Sequence, residues 1–386
     1  AENYVFNRTT QQIDRDRFFV FHNQDLMGDQ FTATFKHQLG GMENRLVLGA
    51  DYSHLDFIRS RGFPDGDSVD PLNPNPGLFG PIVRRVSPTR WDQAALFGED
   101  VLNLTPQLKL VTGVRAERLY LTRENFNVDG SFNAGTSFNR TYKLFNWRAG
   151  LVYDIAPSVT AYASYSTGKD PVGNNIFLVN AGENFGLSSS RQFEGGLKAD
   201  LMNGRGSLTL AAYDIKRKNI LTQVALDTVS NVGSQKSRGV EISGEMKVTP
   251  DWTLIASGAY VDAAYGSFVD PNYGIAASGN TPANVPKWVG NVWTTVRGVA
   301  GLPLEVGGGV KYVGKRFGNT ANSLILKPYA TGIVYATYAV SPNISLTGRV
   351  NNVWNKTFVQ WADIYYPAQV MMGEPRRVEV SVLGRF

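Results

Sequence analysis

Apolar and polar residues alternate along many short segments of this chain, and turn-forming residues separate these segments. Residues 302–312 place Leu, Val, Gly or Tyr at every even position, and segments 46–52, 159–165 and 344–351 alternate in the same way. Successive side chains of a strand point to opposite faces, so each segment would have one apolar face and one face that tolerates charge. The pattern predicts an all-β chain, but a β-sandwich would produce the same alternation.

The positions of the turns favour one architecture. Short reversals are predicted near Gly40, Gly41, Pro106, Pro157, Gly204, Pro250, Gly301 and Pro342. Long polar segments lie between them, at about 60–90, 124–139, 168–190, 219–231, 266–285, 315–330 and 355–375. Tight turns on one side and long loops on the other are typical of outer-membrane barrels. We therefore predict a transmembrane antiparallel up-and-down outer-membrane β-barrel of about sixteen strands, with all the turns on one rim.

Composition excludes several kinds of chemistry. The 386 residues include no cysteine, and the three histidines are isolated in sequence, so neither a thiolate site nor a histidine metal site is indicated. No His lies in a Ser/His or Asp/His constellation, and we predict that the protein is not an enzyme. No apolar run reaches the roughly 18 to 20 residues that a membrane-spanning helix needs. The net charge of +5 is spread along the chain, which argues against nucleic-acid binding.

The last strand pattern bears on orientation and assembly. Val378, Val380 and Val382 alternate with charged or polar residues up to the terminal Phe386. We expect these valines, and the apolar residues of 344–350, to face lipid. A terminal Phe that closes an alternating strand resembles the signal read by the outer-membrane barrel-assembly machinery, so Phe386 is the predicted assembly signal.

Several stretches occur in an order that identifies a family. In chain order they are LKLVTGVRAER (108–118), FNWRAGLVY (145–153), QFEGGLK (192–198), SLTLAAYDIKRKN (207–219), VGSQKSRGVE (232–241), NVPKWVGNVW (284–293) and VNNVWNKT (350–357). No single stretch is specific, but their colinear order over nearly the whole chain resembles the barrel of a TonB-dependent siderophore receptor.

The resemblance implies a multi-pass receptor of the bacterial outer membrane that takes up ferric siderophores with energy delivered through TonB. Such receptors combine a plug domain with a barrel of about 22 strands. Residues 1–386 offer fewer strands and nothing like a plug, so we interpret them as the β-barrel domain, with the plug and the first strands not present. The iron arrives already chelated, and no cofactor is implied. Outer-membrane lipid, lipopolysaccharide and the barrel-assembly machinery are further implied partners.

Ligand recognition in such a receptor would lie in the long loops and the upper lumen. Aromatic rings and arginines suit a planar or anionic chelate. The ligand-binding candidates are Phe63, Phe79, Arg84 and Arg85 in the first long segment and Trp361, Tyr365 and Tyr366 in the last. Packing of the loops, or a place in the aromatic girdle, is the alternative for each of them.

Charged residues within the strand patterns have structural roles as their simplest explanation. We expect Arg115 and Glu117, which share one strand face, to form an ion pair on the wall. We expect Arg238 and Glu241 to join the charge network of the luminal wall, with Gly239 allowing close backbone approach.

Other functions compete with the receptor. A passive or substrate-selective porin of about sixteen strands would conduct without TonB. A surface adhesin would transport nothing. A haem receptor is disfavoured because no counterpart of the haem-ligating histidine motifs occurs.

Overall fold

One long antiparallel sheet dominates the computed structural model, which describes residues 2–17, 19–62, 66–75, 85–169, 186–225, 228–231, 233–270, 274–363 and 369–385. Each inner strand pairs with the strand before it and the strand after it in the sheet's chain order. Its fifteen strands in the described residues are β1 (Phe19–Leu39), β2 (Met42–Gly62), β3 (Arg85–Asn103), β4 (Leu108–Arg123), β5 (Phe138–Ala156), β6 (Val159–Lys169), β7 (Ser189–Leu201), β8 (Gly206–Lys218), β9 (Ser234–Thr249), β10 (Trp252–Tyr265), β11 (Trp288–Val296), β12 (Leu304–Val313), β13 (Tyr329–Ser341), β14 (Ile344–Asn351) and β15 (Arg377–Gly384). This is the up-and-down order expected from the sequence, with fifteen strands against about sixteen expected.

The short and long connections lie on opposite rims. Short turns occur at 40–41, 104–107, 157–158, 202–205, 250–251, 297–303 and 342–343, and long connections at 63–84, 124–137, 170–188, 219–233, 266–287, 314–328 and 352–376. Alternate connections of an up-and-down sheet fall on the same side, so the predicted turns all lie on one rim, as expected. At the first of them, Gly40 and Gly41 have φ of 59° and 81°, a conformation that favours glycine. We call the two sides the turn rim and the loop rim.

The strand registers divide the side chains between two faces. Leu96 on β3, Val114 on β4 and Phe145 on β5 occupy one face and are 68%, 51% and 55% exposed. Large apolar side chains this exposed across neighbouring strands are what contact with lipid requires. Val380 is 72% exposed on the same outward face, as predicted. Glu379, the next residue, lies opposite Arg349 of β14 on the other face, which is the luminal face.

Outward-facing aromatic residues lie towards both rims of β10. Trp252 begins this strand at the turn rim, and its indole N–H donates to Thr294 Oγ1 at 2.8 Å. Nearer the loop rim, Tyr260 contacts Trp288 with ring centroids 4.7 Å apart. Aromatic side chains at two levels of the outward face are the arrangement that barrels show at the two membrane interfaces.

Glycines let aromatic rings lie flat against the luminal wall. A Cβ at Gly239 would lie 2.5 Å from Tyr213 Cζ and 2.6 Å from the Tyr260 carbonyl oxygen. The close approach predicted at Gly239 is therefore confirmed.

Smaller sheets of two or three short strands lie at the loop rim. They are Glu2–Asn7 with Gln12–Arg17 and Asp67–Val69, Leu221–Ala225 with Thr228–Asn231, Val269–Asp270 with Ile275–Ala276, Arg316–Phe317 with Ile325–Leu326, and Val359–Ala362 with Val370–Met372. A 3₁₀ turn at Val299–Gly301 lies between β11 and β12. In the described part of the chain, β1 and β15 end the sheet without pairing with each other. No helix found there is long and apolar enough to cross a membrane, a result that does not bear on crossing by strands.

Candidate functional site

Charged and polar side chains on the luminal face bond to one another. Arg115 Nη2 lies 2.9 Å from Glu117 Oε2, so the predicted wall ion pair is confirmed. The Tyr335 hydroxyl donates to Glu305 Oε1 at 2.7 Å. These groups therefore satisfy each other's charge and hydrogen-bonding capacity within the wall.

Arg238 does not belong to that luminal network. It lies opposite Asp214 of β8, with its Nε 2.5 Å from Asp214 Oδ2. Val240 is on the same face and is 46% exposed, which marks this face as outward. Glu241 has the opposite parity and faces the lumen. The expectation for Arg238 was wrong because residues three apart along a strand point to opposite faces.

A pocket rich in arginine lies at the loop rim. Its cavity of about 200 Å³ is lined by Arg59, Arg61, Arg85, Ser87, Arg123, Asn125, Phe126, Asn127, Asn133 and Thr136. We call this set of residues the arginine pocket. Three adjacent strands bring the four arginines together, because β2 and β4 end where β3 begins.

Strand pairing places these arginines on the luminal face. Arg61 lies opposite Arg85, and two residues further along β3 Ser87 lies opposite Arg59. Arg123 lies opposite Thr89, which has the same parity. This face also carries Arg115 and Glu117, whereas Leu96 and Val114 point the other way. The pocket therefore opens where a ligand entering from the loop side would meet the wall.

The connection between β4 and β5 forms one side of the pocket. The Asn133 side-chain amide donates to Asn127 Oδ1 at 3.0 Å, and the Asn127 amide donates to Ser131 Oγ at 3.0 Å. Phe126 packs against Phe132 with ring centroids 5.8 Å apart. These contacts fix the loop over the strand ends, so its amide groups are held at the pocket before any ligand arrives.

The same loop carries a charge at its tip. The Ser131 hydroxyl and backbone N–H both donate to Asp129, and these bonds hold the pKa of Asp129 below its ordinary value. Asp129 therefore stays ionised to a lower pH than an ordinary aspartate. It is not among the residues that line the arginine pocket.

The pocket has the chemistry of an anion-binding site. Arg59 and Arg123 are only 4% and 3% exposed, and guanidinium groups remain protonated throughout the physiological range. Their planar N–H forks match the two oxygens of a carboxylate. Among the described residues, no group of three or more His, Cys, Asp or Glu could hold a metal ion.

The structure describes two of the predicted ligand-binding residues. Arg85 lines the arginine pocket. Trp361 is 42% exposed in the last long connection, and Met371 and Met372 of the paired strand are each 49% exposed. These two connections belong to opposite ends of the strand order. Phe63, Phe79, Arg84, Tyr365, Tyr366 and the assembly residue Phe386 lie outside the described residues.

Sequence reasoning missed Arg59, Arg61 and Arg123. The missed signal was a pair of arginines two residues apart at the loop end of β2, which places both on one face. Arg85 at the start of the next strand completes that signal.

Comparison with known proteins agrees with this architecture. The family described as "TonB dependent receptor-like, beta-barrel" matches residues 1–353. This chain belongs to that family. Its TonB-dependent relatives are receptors and transporters rather than enzymes, and the chain is an outer-membrane barrel.

Two curated relatives of this TonB-dependent receptor barrel are named for the metal chelates that they bind or transport. The metal-pseudopaline receptor CntO of Pseudomonas aeruginosa is 29% identical over 99% of this chain and 53% of its own length. The ferrichrome outer membrane transporter/phage receptor of Escherichia coli is 28% identical over 91% of this chain and 47% of its own length. The chain thus spans about half the length of the curated relatives it matches.

Solved structures share the fold. The ferric-catecholate import receptor Fiu of E. coli in its closed form superposes with a TM-score of 0.77 at 18% identity, covering 97% of this chain and 55% of that one. The siderophore receptor PiuA of Acinetobacter baumannii gives 0.76 at 21% identity, covering 96% and 60%.

Proposed function

We propose that the full-length protein imports ferric siderophores across the outer membrane with energy supplied through TonB. The observation that carries the proposal is the arginine pocket, which lies on the luminal side of the loop rim in a barrel of the TonB-dependent receptor family. Relatives named for metal-pseudopaline and ferrichrome support a chelated metal as the cargo.

In this proposal the barrel binds and orients its cargo and makes no covalent bond. The chelate meets the long connections first, where Arg85 and Trp361 are available, and then reaches the luminal wall. The paired wall residues, such as Arg115 with Glu117, keep the barrel rigid during passage. Energy would reach the barrel through a plug domain, and TonB would act on that plug.

The outward face supports a further part of the proposal. Lys216 and Lys236 lie opposite each other on β8 and β9, on the same face as Arg238 and towards the loop rim. Cationic side chains at this level suit the phosphate groups of lipopolysaccharide. The apolar residues below them would contact the lipid chains. The barrel-assembly machinery would act on the last strand, β15, and on Phe386, which follows it in sequence.

Uptake of iron by intact cells tests the proposal. Cells producing the full-length protein should accumulate ferric siderophore saturably, and uptake should stop when the proton-motive force is collapsed. A passive porin would behave differently, because permeation through it would survive an uncoupler. Steady channel currents from the purified full-length protein, without saturable chelate binding, would overturn the receptor function.

A further inference from the structure

We propose that the arginine pocket binds a negatively charged arm of the ferric chelate, so that the protein selects anionic chelates over neutral ones. The inference rests on the proposed function and adds a ligand class to it. It assigns the recognition of charge to the ends of β2, β3 and β4 and to the connection that follows β4.

The first argument is the balance of charge. The described residues that line the pocket include four arginines and no acidic residue. The two connections beside the pocket carry Arg84 and five acidic residues in sequence, Asp65, Asp67, Asp70, Glu124 and Asp129. The positive charge is therefore concentrated in the lining of the pocket and is not a property of this whole part of the loop rim. A concave site of one sign concentrates its field and raises the local concentration of ligands of opposite sign.

The second argument is burial. Arg59 and Arg123 are almost completely buried, and their charges are poorly screened by water. Arg123 Nε donates to Asn125 Oδ1 at 3.1 Å, which directs this guanidinium along the pocket wall. An anion held beside buried guanidinium groups gains more than one bound by mobile arginines at an open surface.

The third argument is size and shape. A cavity of about 200 Å³ is smaller than the pockets that enclose whole drug-sized ligands, which begin at roughly 300 Å³. It suits one carboxylate-bearing or similarly anionic arm, with the remainder of the chelate above it. The amides of Asn127 and Asn133 supply additional donors, and the Phe126 ring supplies an apolar edge.

Two other luminal arginines differ from those of the arginine pocket in their surroundings. Arg115 lies within 2.9 Å of Glu117, and Arg297 Nε lies 2.9 Å from Glu305 Oε2. Each of these two arginines lies beside a carboxylate of the wall. The arginine pocket differs because it brings four arginines together at the loop rim.

Two variants and a matched control test the inference in the full-length protein. Arg59→Gln removes a buried guanidinium, and Arg85→Gln removes an exposed one at the edge of the pocket, where we expect a smaller effect on folding. Arg90→Gln is the control, because Arg90 is on the same strand as Arg85 but faces outward, with its Nε 3.2 Å from Asp56 Oδ1. Heat-modified migration on gels checks that each variant is folded.

The probes are two sets of radiolabelled ferric chelates, offered to cells separately. One set carries net negative charge, namely ferric citrate and a ferric tris-catecholate. The other set consists of the neutral ferric tris-hydroxamates ferrichrome and ferrioxamine E, the cyclic ferrioxamine without a free amino group. We expect the parent protein to take up an anionic chelate by an energised process. In both pocket variants the apparent affinity for that chelate should fall about tenfold to a hundredfold, because a charge-assisted hydrogen bond is lost. Arg90→Gln should match the parent protein.

The outcomes separate the two claims. Energised uptake of neutral chelates alone, or pocket variants that match Arg90→Gln, would overturn the inference and leave the receptor function intact. Absence of energised uptake for every chelate in both sets would count against the proposed function itself.

Discussion

The guanidinium of Arg115 reaches across a whole strand to the carboxylate of Asp51. Nη1 lies 2.5 Å from Asp51 Oδ2, and Nη2 lies 3.0 Å from Oδ1. Arg115 is on β4 and Asp51 is on β2, with β3 between them. The bidentate pair therefore joins two strands that share no backbone hydrogen bonds, and it adds a second set of links to the sheet.

Replacing Arg115 with Gln should destabilise the barrel. Asp51 and the almost buried Glu117 would lose their shared counterion, and we expect the free energy of unfolding to fall by about 1–3 kcal/mol. Urea unfolding of the full-length protein in bilayers measures this. A double-mutant cycle with Asp51→Asn should show coupling between the two residues. Arg118→Gln, on the outward face of the same strand, is the control. Equal effects of Arg115→Gln and this control would show that the bridge contributes nothing.

Because one face of the last strand contacts lipid, the stability cost of introducing a charge there should depend on which face it occupies. Val380 points outward, and an Arg there should lower stability in bilayers by about 2–4 kcal/mol if it lies near the midplane. Ser381→Arg places the same side chain on the luminal face one residue later, and it should cost much less. Folding yield and urea unfolding in bilayers compare the two variants. Indistinguishable variants would mean that the assignment of faces on β15 is wrong.

Close packing at Gly239 predicts a cost for a single methyl group. Gly239→Ala would force the new Cβ against the Tyr213 ring and the Tyr260 carbonyl oxygen, and we expect a loss of about 1–3 kcal/mol. Gly348→Ala is the matched control, because nothing lies within 4 Å of its added Cβ. Thermal unfolding of both variants provides the measurement. If Gly348→Ala is as destabilising as Gly239→Ala, the cost comes from replacing a strand glycine in general and not from contact with the Tyr213 ring.

The strand order was accessible from the sequence because it depends on local signals. Turn residues such as Gly204 and Pro250 act over a few positions, and alternation identifies the strands between them. The strand lengths are harder to predict. β2 continues to Gly62 and β3 begins at Arg85, so both strands extend into the segment of about 60–90 that the sequence predicts to be a loop.

The candidate site was less accessible because it depends on register. Arg61 and Arg85 are 24 positions apart in the chain and meet only because β2 and β3 pair with that alignment. Only Arg85 was identified in advance, from its place in a long connection. The error at Arg238 has the same origin, because a motif read as one unit spans both faces of a strand.

The placement of the two rims can be tested with single cysteines, because this chain has none of its own. The variant Asp129→Cys, on the loop rim, should react in intact cells with a maleimide that cannot cross the outer membrane. The variant Asp251→Cys, in a turn on the turn rim, should react only after the outer membrane is permeabilised. The reverse pattern would contradict the proposed orientation. Labelling of both cysteines in intact cells would show that the outer membrane had admitted the maleimide.

The last long connection is tied to its neighbours, and this decides how loops should be removed. Arg316 Nη2 donates to the carbonyl oxygens of Val359 and Gln360, at 2.5 Å and 2.9 Å. The Asn284 side-chain amide donates to the Ala362 carbonyl oxygen at 2.8 Å. Deleting 355–375 would therefore disturb two other connections as well. The first long connection also has such contacts, because Asp67–Val69 pairs with Gln12–Arg17 and Arg15 Nη2 lies 2.6 Å from Asp67 Oδ2. These contacts are made with residues 2–17 and not with another connection of the long sheet, so the first connection is the better target, provided that the deletion spares β2 and β3.

Replacing residues 63–84 with a short Gly/Ser/Asn linker should abolish ferric-siderophore uptake and leave the barrel assembled. The backbone pairing between β2 and β3 ends at Arg61 and Arg85, so a linker can close these strands without removing a ladder bond of the long sheet. The replacement does remove the short strand Asp67–Val69 and its pairing with Gln12–Arg17. The loop segment itself carries Phe63, Phe79 and Arg84, and its loss removes candidate contacts with the chelate. Heat-modified migration and protease resistance check assembly, and radiolabelled iron uptake measures function. Uptake that persists at the parent rate would show that recognition lies elsewhere, whereas failure to assemble would show that this connection helps to form the barrel. Because the arginine pocket lies on the strand ends and remains in place, residual low-affinity binding of an anionic chelate is expected from the same variant.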